Sequence, residues 1–145
     1  MKKAPPEPMK SEGITRKHSF FLNYSNNMIT YGNMENFLVQ ESIQFAVAVI
    51  HLCDNIHNRG VIKNQLLKAA TSIGANIHEA QFGYSKDDFI YKLQLALKEC
   101  NETIYWLLLL IRSETITEDT AKPIMQTCTR IRYMLIKSLK TAKGS

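Results

Sequence analysis

The sequence has few helix breakers and no long apolar run. Three of its four prolines fall within the first eight of its 145 residues, so Pro123 is the one proline left to interrupt a helix in the remainder. The longest apolar run, Ile104 to Ile111, covers eight positions, whereas a helix needs ~20 apolar residues to cross a bilayer. Lys2 and Lys3 at the N-terminus are not followed by the apolar segment of a secretory signal. We therefore predict a cytoplasmic protein that has no membrane partner.

Cysteine is scarce, and its count is odd. Cys53, Cys100 and Cys128 show no paired spacing, which argues against a disulfide framework and for a reducing compartment. Each of them falls on the apolar side of a predicted helix, which is typical of buried free thiols. The sequence places no base beside any of them, so a thiol nucleophile is not predicted.

The common catalytic and metal-binding motifs are absent. The sequence contains no GxxxxGK[ST], GxGxxG or HExxH pattern, and no histidine has the Glu-x-x-His spacing of a di-metal bundle site. His51, Asp54 and His57 progress around their helix, which is poor geometry for one metal ion. Glu99 and Glu102 are interpreted as surface or seam residues and not as an acid/base pair. We predict no catalytic residue, no metal site and no cofactor; an enzyme or metal-binding bundle stays the least favoured alternative.

What the sequence does contain is helical periodicity. Apolar residues recur at steps of three and four over residues 34–57, 61–82, 86–111 and from about 117 onward. The connections between these segments are short, which makes consecutive helices antiparallel neighbours. The predicted fold is all-α, an antiparallel up-down-up-down four-helix bundle over residues 34–145. Residues 1–33 lack any sustained period and are predicted to be a flexible N-terminal extension.

The corner between the second and third helices has clear stop and start signals. Gly83 suits a left-handed residue after a helix end. Ser85 is predicted to be the N-cap of the third helix, with Asp88 as its capping-box partner. Tyr84 and Phe89 occupy the two positions of a hydrophobic staple.

The first helix carries two adjacent apolar seams. One consists of Leu38, Ser42, Phe45, Val49, Leu52 and Ile56, and the other of Val39, Ile43, Ala46, Ile50 and Cys53. A bundle helix that buries one face needs only one stripe. The broad apolar face therefore indicates either a subunit contact or burial against two bundle neighbours. In the second helix, Asn76 falls in the apolar seam, where a polar residue often fixes helix register.

The net charge of +5 is unevenly distributed. Residues 1–33 carry a net charge of +3, residues 34–119 carry −4, and residues 120–145 carry +6 with no acidic residue at all. Basic ends on an acidic body are compatible with contacts to phosphate backbones or to acidic protein surfaces. They are also compatible with solvated helix faces and a lysine-rich last turn that the helix dipole favours, which is the more common case.

Residues 65–107 carry a specific pattern. A Ser-Ile-x-x-Asn-Ile-x-Glu segment is followed by a Ser-x-x-Asp-Phe helix start and a Leu-x-x-Ala-x-x-Glu-x-x-Glu-Thr run. The motif residues are Ser72, Asn76, Glu79, Ser85, Asp88, Phe89, Glu99 and Glu102. This pattern resembles that of the bacterial four-helix-bundle proteins named for 23S rRNA intervening sequences. The resemblance is specific over the second and third helices, loosens over the first and is weak in the fourth.

The resemblance implies a ring-like homo-oligomer, expected to be a pentamer, without enzyme activity. Accessory proteins of diversity-generating retroelements, which bind nucleic acid and a reverse transcriptase, are more distantly similar. We therefore predict a non-enzymatic homo-oligomer that binds structured RNA or a nucleic-acid-binding protein. The predicted phosphate contacts are Arg130, Arg132, Lys137, Lys140 and Lys143. The alternative is a protein-interaction scaffold that holds a partner around Asn76 and Glu79; the motif residues themselves are expected to form structural contacts between helices.

Overall fold

The computed structural model describes residues 29–144, and these residues form four α-helices and no strand. The helices are α1 (Ile29–Asp54), α2 (Gly60–Ala80), α3 (Lys86–Arg112) and α4 (Glu118–Lys143). Each of the three connections has five residues, which is short enough to make consecutive helices antiparallel neighbours. The all-α four-helix bundle that the periodicity predicts is confirmed.

The ends of α1 differ from the prediction. The helix begins at Ile29, inside the predicted extension, whose residues 1–28 lie outside the described part of the chain. It ends at Asp54 and not at His57. The amides of the next two residues, Asn55 and Ile56, bond to carbonyls three residues back, which is the tight turn that often closes a helix. Ile56 is buried although it lies beyond the helix end. The apolar periodicity therefore continues past Asp54, which is why the predicted helix end is too late.

The start of α3 follows the prediction. Ser85 is the N-cap, and its hydroxyl accepts a hydrogen bond from the amide of Asp88 at 3.1 Å. The Asp88 carboxylate accepts from the amide of Tyr84 at 3.2 Å, one residue before the amide that a capping box uses. The predicted staple is weak because the side chain of Tyr84 remains 88% exposed. In α4, Thr117 is the N-cap and accepts from the amide of Thr120.

The predicted left-handed conformation of Gly83 is wrong. Gly83 does not adopt a positive φ; Gly144, which follows α4, does, at 75°. What Gly83 supplies is space. A Cβ atom at this position would lie 3.1 Å from the carboxylate oxygen of Asp88 and 3.3 Å from the carbonyl oxygen of Ala80. The corner therefore needs glycine for close approach, a requirement that the sequence signal does not distinguish from a left-handed turn.

The predicted seams form the core. All six residues of the first α1 seam are buried, together with most of the predicted seams of the other helices. Among the residues that the periodicity places on the apolar faces of α2, α3 and α4, the only half-buried ones are Ile62, Asn76, Phe89 and Ser138. Leu139 is buried at the end of α4, beside the predicted Ser138. Each helix therefore buries one face against a shared core, as an amphipathic bundle helix does.

Each helix contacts the two helices beside it in the bundle. On three sides these contacts are Lys92–Glu79 between α2 and α3, Arg132–Asn101 between α3 and α4, and Arg130–Glu41 between α4 and α1. On the fourth side, α1 and α2 approach closely at Gly74, where an added Cβ would lie 3.0 Å from the Ser42 hydroxyl. Ser42 is fully buried and its hydroxyl donates to the carbonyl of Val39 at 2.7 Å.

Candidate interaction surfaces

The outer side of α1 is apolar. Phe37, Ile43, Val47 and Ile50 are 49%, 51%, 45% and 42% exposed, and the last three follow one another at helical steps along the same face. We call Ile43, Val47 and Ile50 the α1 apolar stripe. The predicted second seam is thus exposed at Ile43 and Ile50, whereas its Cys53 is buried. Contiguous exposed apolar side chains commonly mark a site of interaction.

The same helix is apolar enough to raise the question of a membrane. By length and composition alone, Phe37–Asp54 could cross one, with a mean hydropathy of 1.3. One such helix is weak evidence because the core helix of a water-exposed bundle meets the same criterion. Here the opposite side of the segment, with Leu38, Phe45 and Val49, is buried in the bundle core.

Between α1 and α4 lies a groove of about 230 Å³. Its lining residues are Glu41, Gln44, Phe45, Ala48, Pro123, Ile124, Thr127 and Arg130. Arg130 donates from Nη2 and Nε to one carboxylate oxygen of Glu41, at 2.7 and 3.1 Å. The Glu41 side chain is only 15% exposed, so this ion pair neutralises a largely buried charge. Arg130, a predicted phosphate contact, is thus engaged in holding α4 against α1.

Arg132, a second predicted phosphate contact, also bonds within the bundle. Its Nε donates to the side-chain oxygen of Asn101 on α3 at 2.9 Å. The two arginines therefore lie on opposite flanks of α4, one toward α1 and the other toward α3. Arg130 is also half exposed and lies about two turns before Lys137 on the same side of α4, whereas Arg132 lies on the opposite flank.

The outward side of α4 is basic. Lys122, Tyr133, Lys137 and Lys140 are exposed and follow one another at helical spacing; we call these four residues the α4 basic face. Lys143 is exposed in the last turn. The Lys137 ammonium lies 5.4 Å from the centroid of the Tyr133 ring. Lys122 and Tyr133 are not among the predicted contacts, although the four-residue step from Tyr133 to Lys137 is a usable signal.

The family motif lies along the side where α2 and α3 meet. Lys92 donates to Glu79 at 2.6 Å between these helices, as the structural interpretation of the motif predicts. Asn76 does not bridge helices. It is half-buried, and its amide nitrogen donates to the carbonyl of Ser72 on its own helix at 2.8 Å. The predicted inter-helix role of Asn76 is therefore wrong, because the side chain lies at the edge of the core, where its own helix supplies the acceptor.

The two motif glutamates of α3 have different surroundings. Glu102 accepts a hydrogen bond from the Trp106 indole nitrogen at 3.2 Å, one turn along the same helix. Burial and then the neighbouring Glu102 charge raise the pKa of Glu99, and Lys98 and Lys68 oppose the shift. Since Lys68 belongs to α2, Glu99 faces the α2–α3 junction. Partial burial beside a like charge accounts for the pKa shift without a catalytic role.

The cysteines and histidines form no evident reactive centre in residues 29–144. All three cysteines are free and buried, as predicted, and burial raises the pKa of Cys53 to about 11. Within the described residues, no three His, Cys, Asp or Glu side chains come close enough together to hold a metal ion. His51 and Asp54 approach to 3.9 Å but are both more than two-thirds exposed.

Comparison with known proteins identifies relatives. The family model described as 23S rRNA-intervening sequence protein matches residues 34–137. A crystal structure of a protein with unknown function from the S23 ribosomal protein family of Bacteroides thetaiotaomicron is similar, with a TM-score of 0.71 and 44% sequence identity. The match covers 74% of this chain and 98% of that one. No curated protein matches the chain. Because the family model spans most of the chain and extends into all four helices, the chain belongs to the family of 23S rRNA-intervening sequence proteins.

Proposed function

We propose that the chain is a non-enzymatic subunit of a homo-oligomer, expected to be a pentamer, that binds structured RNA or an RNA–protein assembly. The observation that carries the RNA part is the α4 basic face. Residues 120–145 contain six basic and no acidic side chains, and Lys122, Lys137 and Lys140 are exposed on the outside of α4. A basic surface of this kind attracts a phosphate backbone.

The α1 apolar stripe supports the oligomer part of the proposal. Its three side chains are each about half exposed in the isolated chain, and association with other copies would remove them from water. We expect light scattering to give the mass of several chains, about 83 kDa for five copies of the 16.6 kDa chain. Ile43→Lys combined with Ile50→Lys should reduce that mass, because two charges would then be buried without partners.

The RNA proposal is tested by anisotropy titration of nuclease-treated protein against a structured ribosomal RNA fragment. With about three lysine contacts per subunit, the affinity should fall roughly 20- to 40-fold between about 50 and 200 mM salt. The triple variant Lys137→Gln, Lys140→Gln, Lys143→Gln should bind more weakly and with a shallower salt dependence. The matched control removes the same charge elsewhere, by Lys68→Gln, Lys86→Gln and Lys98→Gln. Equal losses in the two triple variants would show that only net charge matters.

The arginines need a separate test because they have partners inside the bundle. Arg130→Gln leaves Glu41 without its cation, so we expect the unfolding free energy to fall by about 1 kcal/mol. This loss is smaller than that for breaking a fully buried ion pair, because Arg130 is half exposed and solvent screens the pair. Lys137→Gln should leave stability unchanged. Urea unfolding measures both. A stable Arg130→Gln variant with impaired RNA binding would place Arg130 in the RNA contact and not in the bundle.

The second candidate function is a protein-interaction scaffold. The observation that favours it is the groove between α1 and α4, which has Phe45 and Ile124 among its lining residues. In addition, two of the predicted RNA contacts, Arg130 and Arg132, are bonded to other side chains of the bundle. If the wild-type protein binds no RNA even at about 50 mM salt, the scaffold becomes the better proposal. Pull-down experiments comparing wild type with an Ala48→Trp variant, which would fill the groove, would then identify a partner that depends on it.

A further inference from the structure

Tyr133 lies in the middle of the α4 basic face with its ring exposed. The side chain is 60% exposed, although a ring of this size gains free energy when it leaves water. Its neighbours one turn before and after it are Thr129, Arg130 and Lys137, all exposed. No acidic residue occurs in α4 beyond Asp119. An aromatic ring set among cations, without acidic side chains along its helix, is a suitable surface for an anionic aromatic ligand.

The contact between Tyr133 and Lys137 strengthens this assignment. The Lys137 ammonium is 5.4 Å from the Tyr133 ring centroid, which is within the range of a cation–π interaction. The ammonium therefore lies over one face of the ring, so a base would stack on the other face with Lys137 close enough to meet its phosphate. Tyr105 of α3, a tyrosine of similar exposure, instead packs edge-on against Trp106 at 4.9 Å.

We infer that Tyr133 is a stacking platform for an unpaired RNA base and that Lys137 and Lys140 contact the phosphates beside that base. This inference rests on the proposed RNA binding and specifies the form of RNA. Proteins that bind single strands combine a basic surface with aromatic rings on which bases stack. The bases of a duplex are stacked on one another, so a protruding tyrosine cannot reach their faces. The preferred ligand is therefore a loop, bulge or single-stranded end.

The spacing along α4 fits a short segment of strand. Lys137 and Lys140 lie four and seven residues beyond Tyr133, which is about 6 and 10 Å along the helix axis. A stacked nucleic-acid strand advances about 3.4 Å per nucleotide. One subunit would therefore contact about three nucleotides, and repetition of this weak contact in an oligomer would supply useful affinity.

The test compares two labelled RNAs of about 12 nucleotides per strand, oligo-uridine and a fully paired duplex, by fluorescence anisotropy at about 50 mM salt. Full-length wild type is compared with Tyr133→Ala, with Tyr133→Phe, which keeps the ring, and with Tyr105→Ala, which removes a tyrosine of similar exposure from α3. We expect Tyr133→Ala to weaken oligo-uridine binding roughly 5- to 150-fold, the range for loss of one base stack. Tyr133→Phe and Tyr105→Ala should bind within about twofold of wild type, and duplex binding should be the same for all four proteins.

The outcomes separate this inference from the proposed function. If the wild type binds RNA and Tyr133→Ala binds oligo-uridine as tightly, the stacking platform is refuted while RNA binding stands. Preference of the wild type for the duplex would also refute it. If the wild type binds neither RNA, the proposed function and the inference both fail. Equal losses from Tyr133→Phe and Tyr133→Ala would assign the effect to the phenolic hydroxyl and overturn the stacking argument.

Discussion

Replacing Gly74 by alanine should destabilise the bundle, contrary to the usual effect of this change inside a helix. Gly74 lies in the middle of α2, where alanine has an intrinsic advantage of about 1 kcal/mol over glycine. The added Cβ would, however, lie 3.0 Å from the hydroxyl oxygen and 3.3 Å from the Cβ of Ser42 on α1. Both distances are shorter than ordinary van der Waals contact. Either α1 and α2 must move apart or Ser42 must change rotamer.

Neither adjustment is easy. Ser42 is fully buried, and its hydroxyl is held by a 2.7 Å hydrogen bond to the carbonyl of Val39. Overpacking a core in this way typically costs about 1–3 kcal/mol. After the intrinsic advantage of alanine is subtracted, the net loss of unfolding free energy should be about 0–2 kcal/mol. At about 4 °C per kcal/mol, the upper end of this range lowers Tm by roughly 8 °C.

Gly60 provides the matched control. It is the first residue of α2, it is exposed, and an added Cβ would meet no atom within 4 Å. Gly60→Ala should therefore be neutral or stabilise by up to about 1 kcal/mol. Urea and thermal unfolding of both variants should be compared at one protein concentration, because association would make Tm depend on concentration. The two glycine variants should differ by about 1–3 kcal/mol, which is the cost of overpacking.

A double-mutant cycle identifies the clash itself. In a Ser42→Ala background the hydroxyl at 3.0 Å is gone and the Cβ at 3.3 Å is the nearest atom. The penalty of Gly74→Ala should then shrink by about 1 kcal/mol, as expected for residues in contact. If Gly74→Ala stabilises as much as Gly60→Ala, or if Ser42→Ala leaves its effect unchanged, the close approach of α1 and α2 at this point is refuted.

Three further predictions concern local chemistry. Ser85→Ala removes the N-cap acceptor of α3 and should cost about 1 kcal/mol in urea unfolding; an unchanged midpoint would contradict the capping role. Glu99→Gln should raise Tm near neutral pH, because the folded state raises the pKa of Glu99 through burial and the Glu102 charge and so loses stability as pH rises through that pKa. The gain should vanish at acidic pH, where Glu99 is protonated; a gain that does not change with pH would contradict the assignment. The three buried thiols should react with alkylating reagents at pH 8 only after unfolding. In the folded protein the pKa of Cys53 is about 11, so only ~0.1% of this thiol is thiolate at pH 8. Rapid labelling of the native protein would refute the burial of the thiols.

The sequence predicts the fold well because local rules and the core agree. Steps of three and four identify the buried face of each helix, and Ser85 identifies the start of α3. The prediction fails where two different structural requirements favour the same residue type in the sequence. Gly83 is compatible with a left-handed turn or with close packing, and only the coordinates show that close packing requires it.

The candidate surfaces are less predictable because exposure and pairing are properties of three dimensions. A list of basic residues in the last 26 positions does not reveal that Arg130 faces Glu41, which lies 89 residues earlier in the chain. The α1 apolar stripe was recognised as an excess of apolar residues, but bundle neighbours and another subunit would explain that excess equally well. The structure leaves Ile43 and Ile50 half exposed, which favours a partner outside the described chain.

The ion pair between Arg130 and Glu41 gives the two proposed surfaces a physical connection. Glu41 belongs to the helix that carries the α1 apolar stripe, and Arg130 belongs to the helix that carries the α4 basic face. This pair and the packing around it fix α4 against α1 within each subunit. If two subunits associate through their α1 apolar stripes, the distance between their two α4 basic faces is therefore also fixed. A flexible attachment would lower the effective concentration of the second basic face near a bound strand. Arginine is thus better suited to this inner position, where it forms a fixed geometry, and lysine to the outer face, where its mobile point charge can follow a phosphate backbone of variable shape.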